Sequence, residues 1–137
     1  MVKAMRILID TNILFSASLF PDSAPAHAYL KAVTPPNVGV ICRQNIEELR
    51  RTFNRKLPDR IQNLETFLAV AMMTLEVVSV PVATHPDEAL VRDANDRPIL
   101  RAAIAANCDA ILTGDKDLLE ADLLRPAPLS AAEFLKK

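Results

Sequence analysis

The sequence predicts a single α/β domain over residues 1–137, with a parallel sheet of four or five strands covered by helices on both faces. Three observations carry that prediction. Short apolar runs rich in β-branched residues recur along the chain, separated by segments with helical spacing. No hairpin signal joins one run to the next, so successive strands have to run parallel. A length of 137 residues, with 50% hydrophobic and 24% charged, suits one core that buries roughly two-thirds of the unfolded surface.

Arg6-Ile7-Leu8-Ile9 reads as the first buried strand and stops at Asp10. Ile13, Leu14, Ala17 and Phe20 then recur at helical spacing up to Pro21. Ser23 caps a second helix through Tyr29 and Leu30, with Pro25 tolerated in its first turn, and Pro35-Pro36 end it. Val38 to Ile41 is the second strand. A charged helix follows, carrying Ile46, Leu49, Phe53 and Leu57 on one stripe until Pro58 stops it. Asp59 opens a further helix whose Ile61, Leu64, Phe67, Leu68 and Ala71 face inward. Leu75 to Val80 is a third strand, bounded by Pro81.

His85 to Asp96 reads as polar loop or short helix. Asp96 stands where a helix N-cap belongs, ahead of Arg97-Pro98, and that helix runs through Leu100, Ala103 and Ile104 to Cys108. Ala110-Ile111-Leu112 is the fourth strand and ends at Thr113-Gly114-Asp115. After a short Leu-rich helix, Pro126 and Pro128 flank a link to a terminal helix, where Ser130 and Glu133 form a capping box.

Composition excludes several functions. The 16 Lys and Arg nearly cancel the 17 Asp and Glu, for a formal net charge of −1, so no bulk positive field attracts nucleic acid. Gly39 and Gly114 are the only glycines, which rules out a P-loop and a G-x-G-x-x-G fingerprint. Cys42 and Cys108 have neither zinc spacing nor the numbers for a disulfide scaffold; they read as small buried hydrophobes suited to a reducing cytoplasm. Lys3 and Arg6 before an apolar stretch imitate a leader, but Asp10 interrupts it. Phe67 to Ala83 is apolar yet contains Glu76 and Pro81 and is short for a span. The expectation is a soluble cytoplasmic protein without a membrane segment.

Two strands end in a carboxylate, at Asp10 and at Asp115. Ligands of open parallel sheets bind beyond the carboxyl ends of the strands, so both acids belong to one rim. Asp96 at a helix start and Glu47-Glu48 beyond the second strand belong near it. An Asp at a strand end is ordinarily a helix cap or turn residue. Several carboxylates together raise one another's pKa, and a divalent cation removes that cost. Without His or Cys, an all-oxygen cluster suits Mg²⁺ or Mn²⁺.

Ile7-Leu8-Ile9-Asp10-Thr11-Asn12-Ile13-Leu14, Glu47-Glu48-Leu49, Asp93-Ala94-Asn95-Asp96-Arg97-Pro98-Ile99-Leu100 and Ile111-Leu112-Thr113-Gly114-Asp115-Lys116-Asp117-Leu118-Leu119 resemble, in order, the successive motifs of PIN-domain proteins. Leu129-Ser130-Ala131-Ala132-Glu133-Phe134-Leu135 is similar to that family's end. The likeness is greatest to prokaryotic PIN toxins of toxin–antitoxin systems. It implies a Rossmann-like sheet and a Mg²⁺- or Mn²⁺-dependent ribonuclease, with Asp10, Glu48, Asp96 and Asp115 as catalytic metal ligands. The apolar stripe does not choose between Glu47 and Glu48; the family pattern favours the glutamate just before Leu49. Asp93 and Asp117 are auxiliary acids or solvated neighbours, while Asn12 and Thr113 would orient ligands or water. Where the family often carries Ser or Thr at a helix start, this chain has Cys42, so the helix start moves toward Gln44 or another group caps it. The resemblance also implies an RNA substrate, a cognate antitoxin and a homodimer. A non-catalytic RNA- or protein-binding PIN module is the alternative.

Arg50, Arg51, Arg55 and Lys56 crowd the glutamate helix, either as a solvated face paired with glutamates or as a phosphate-binding rim. One Tyr, five Phe and no Trp leave little for base stacking. His27 and His85 lie outside the motifs. A haloacid-dehalogenase-type phosphatase needs a second Asp where Asn12 stands, and a receiver domain orders its acids differently. Setting four acids aside as metal ligands leaves the remainder net basic.

Overall fold

Ile7 and Ile9 pack on one side of a sheet and Leu8 on the other, and all three are buried, which explains the unbroken apolar run that precedes Asp10. The computed structural model describes residues 3–137. Its strands are β1 (Arg6–Ile9), β2 (Val38–Cys42), β3 (Glu76–Val78), β4 (Ala110–Leu112) and β5 (Ala127–Leu129). They form one parallel sheet in the order β3-β2-β1-β4-β5. The same alternation sends Ile41, Ala110 and Leu112 to one face, and Val40, Cys42 and Ile111 to the other.

Helices α1 (Thr11–Leu19), α2 (Ala24–Val33), α3 (Arg43–Lys56), α4 (Ile61–Ala71) and α7 (Ala131–Leu135) cover the first face. Their buried stripes include Ile13 and Leu14, Tyr29, Leu49 and Phe53, Leu64 and Leu68, and Phe134. Helices α5 (Arg97–Ala105) and α6 (Lys116–Leu119) cover the second, through Leu100, Ala103 and Leu118. Among the described residues no helix is long and apolar enough to cross a membrane.

Several boundaries differ from the sequence expectation, each for a local reason. The link flanked by Pro126 and Pro128 contains the fifth strand. Pro128 lacks an N–H, but an edge strand needs only one side of its ladder, and the bonds Ala127 N to Asp109 O and Thr113 N to Leu129 O (3.0 Å each) straddle the proline. β3 is limited to Glu76–Val78, shorter than the apolar run, with Leu75 serving the core instead. α5 ends before Cys108 because Asn107 takes a left-handed φ of 58°, a usual way to terminate a helix. α4 begins at Ile61, after a 3-10 turn over Pro58–Arg60. α1 ends at Leu19, which leaves Phe20 58% exposed.

The polar segment before α5 forms two 3-10 turns, Pro86–Leu90 and Ala94–Asp96. Buried Glu88 accepts two bonds from the Arg101 guanidinium (2.8 and 3.1 Å), which tie this segment to α5. His85 caps the first turn, its Nδ1 accepting the Asp87 N–H, and His27 is exposed on α2.

Candidate functional site

β1 and β4 are neighbours, so the chain leaves both at the same rim of the sheet. Asp10 caps α1 by accepting the Thr11 N–H at 2.8 Å. Asp115 caps α6 by accepting the Asp117 N–H at 2.8 Å. Two side chains tie these ends together. The Thr113 hydroxyl donates to Asp10 Oδ2 at 2.8 Å and accepts the Asp115 N–H at 3.0 Å. The Asn12 amide donates to Asp10 Oδ2 at 3.2 Å, while its oxygen accepts the Gly114 N–H at 2.9 Å. Thr113 and Asn12 thus hold two carboxylates from distant parts of the chain in one orientation.

The rim opens into a cleft of about 580 Å³ lined by Asp10, Glu48, Asp96 and Asp115. α3 supplies Glu48, whose Oε2 lies 3.5 Å from the Thr11 hydroxyl. Glu47, the adjacent residue, is exposed and is not part of the lining. Cys42 occupies the N-cap position of α3 without a capping hydrogen bond; its thiol donates to Gln44 Oε1 at 2.9 Å, and the helix nevertheless starts at Arg43.

Asp96 differs from the other acids. It flanks α5 but does not cap it, and its Oδ2 is buried without a hydrogen-bond partner. Burial and the facing Asp115, with Asp93 and Asp10 adding repulsion, raise its pKa to about 7. Burial also pushes the Asp10 carboxyl up, against the Thr113 and Thr11 bonds that pull it down, and Asp115 and Glu48 add to the rise. Burial and the repulsion of neighbouring carboxylates set the direction of both shifts.

Among the described residues, Asp93, Asp96 and Asp117 form the trio whose ligand atoms all lie within 4.8 Å of one another. Asp93 and Asp117 are each engaged elsewhere as well. Asp93 caps its own 3-10 turn through the Asn95 N–H, and Asp117 is held by Arg92, which also takes Glu120. Asp96 therefore lies where the cleft acids meet this second pair.

The basic residues of α3 separate. Arg50 is committed to Glu65 of α4 by two bonds of 2.8 and 3.0 Å, whereas Arg51 lines the cleft. Arg55 and Lys56 stand exposed in the last turn. Asn45, buried to 2% exposure, also lines the cleft, and its Nδ2 has no partner. Charge and motif did not single it out, although its place one turn before Glu48 puts it on the same helix face.

A sequence model of the PIN domain matches residues 6–117, a stretch that contains Asp10, Glu48, Asp93, Asp96, Asp115 and Asp117. The chain belongs to the PIN domain family. None of the curated proteins matches it. Among solved structures, VapBC2 from Rickettsia felis, bound to a DNA fragment from its promoter, is similar with a TM-score of 0.69 and 16% identity, over 92% of this chain and 98% of that one. Mycobacterium tuberculosis VapC20, a toxin that cleaves the sarcin-ricin loop, is similar with a TM-score of 0.56 and 18% identity, over 81% of this chain and 91% of that one. At such identities the likeness is one of fold, and the five-stranded parallel sheet of this PIN domain is in keeping with it.

Proposed function

We propose that this PIN domain is a metal-dependent ribonuclease and the toxin of a toxin–antitoxin pair. The observation that carries the reading is the buried, unpartnered Oδ2 of Asp96 beside Asp115, in the same cleft as Asp10 and Glu48. A buried charged oxygen without a partner is costly, and an oxygen-only set suits Mg²⁺ or Mn²⁺. Asp10, Glu48, Asp96 and Asp115 would hold the ion. When bound, it supplies an activated water and charge stabilisation for phosphodiester hydrolysis. Thr113 and Asn12 keep the Asp10 carboxylate aimed by hydrogen bonds, as groups behind a metal ligand do. Glu48 rather than Glu47 is the α3 ligand, because it alone of the two borders the cleft.

RNA approaches along α3, where Arg51 at the lining and exposed Arg55 and Lys56 meet its phosphates. Arg50 contributes least, since Glu65 already offsets its charge. Family membership and the likeness to two VapC-type structures support the toxin assignment, with a small antitoxin protein and a second copy of this chain as partners. The test is cleavage of labelled RNA in Mn²⁺ or Mg²⁺. Loss of cleavage with EDTA and in Asp10→Asn supports the reading; cleavage that survives either one overturns it.

A further inference from the structure

Among the described residues two buried side-chain polar atoms lack a partner, Asp96 Oδ2 and Asn45 Nδ2, and both residues line the same cleft. Their demands are opposite. Asp96 needs a cation or a donor; Asn45 needs an acceptor. The wall around each follows suit. Asp10 and Asp115 accompany Asp96, and Glu48 of α3 joins them beside Thr11 and Asp10, whereas the other α3 lining residues, Gln44, Arg51 and Thr52, are all able to donate and accompany Asn45. A ligand that satisfies both walls is positive toward the strand ends and carries acceptor oxygens toward α3.

We propose that Asn45 positions the substrate, its side-chain amide donating to a non-bridging oxygen of the phosphodiester and drawing that group against α3. This rests on the ribonuclease reading and adds to it which wall receives the phosphate. Rotation about the last side-chain torsion, which is broad in Asn, would present the amide end to the cleft that Asn45 already lines. Substrate then replaces an unmet donor with a charge-assisted hydrogen bond, a contact made only in the complex.

Asn45→Leu keeps the branched shape and deletes the donor, and Asn45→Asp keeps the shape and reverses its electrostatics. Both are compared with wild type for melting temperature, for affinity for inorganic phosphate in Mg²⁺, and for kcat/KM on labelled RNA. Asn45→Leu is expected to lose roughly tenfold in phosphate affinity and in kcat/KM, and Asn45→Asp more, as befits one hydrogen bond to a charged group. The melting temperature of Asn45→Leu holds or rises, because an unsatisfied buried amide has gone. Unchanged phosphate affinity in both variants overturns the proposal. So does a loss of affinity that merely tracks a fall in melting temperature, which assigns Asn45 to packing. Wild type that cleaves no RNA, while its variants lose phosphate as described, overturns the ribonuclease reading and leaves the Asn45 contact standing.

Discussion

Asp96→Asn exchanges a carboxylate that is repelled from several sides for a neutral amide of the same shape. In the metal-free protein at pH 8 the wild-type group is ionised, half-buried, and has one oxygen without a partner. Relieving such a group is worth about 1–2 kcal/mol, at the lower end because partial exposure screens the repulsion. For a chain of this size that raises the melting temperature by roughly 3–8 °C. The gain depends on pH with a definite sign. The Asp96 carboxyl is raised to about 7 from an ordinary value of 3.8. Its contribution to stability is therefore complete below about pH 4 and lost as pH rises through about 7. At pH 5 roughly a third of that contribution is already lost, because the unfolded carboxyl is ionised while the folded one stays protonated, so the substitution gains clearly less than at pH 8. Calorimetry in EDTA at pH 5 and pH 8 reads both halves. A variant no more stable than wild type at pH 8, or equally stabilised at both pH values, refutes the reasoning.

Asp10→Asn lowers metal-dependent RNA cleavage by at least about a hundredfold, because it removes the acid that Thr113 and Asn12 hold in place; a quantitative cleavage assay checks it. Mg²⁺ at a hundred times its dissociation constant stabilises the wild type by about 2.7 kcal/mol, and Asp96→Asn largely abolishes the response in thermal melts with and without the ion. Gly39→Ala destabilises by about 1–3 kcal/mol in denaturant titrations, since its Cβ would stand 2.8 Å from Leu75 and 2.9 Å from Val33. Gly114→Ala is tolerated by the same measure, its Cβ meeting Asn12 at an ordinary 3.5 Å.

The placement of Asp10 and Asp115 was legible because each follows an apolar run that could only be a buried strand, and parallel strands share a rim. Glu48 needed more: its stripe left Glu47 equally eligible, and the packing of α3 beside Thr11 separates them. β5 was illegible because Pro126 and Pro128 argue against a strand unless its edge position is known. Asn45 carries no charge and belongs to no motif, so only its burial and missing partner reveal it. Arg50 read as one of a basic group because Glu65 is remote in sequence and reaches it only once α3 and α4 pack. The meeting of Asp93, Asp96 and Asp117 likewise exists only after α6 is set beside the turn before α5.

Pro128 has a consequence beyond the boundary of its strand. The sheet ends in two three-residue strands, β3 and β5, and the middle residue of β5 has no N–H to donate. Neither margin offers a length of backbone on which a foreign strand could align, so sheet extension, a common route to aggregation and to peptide capture, is closed. What the sheet margins leave for a partner is the helical surface, the loops and the acidic cleft.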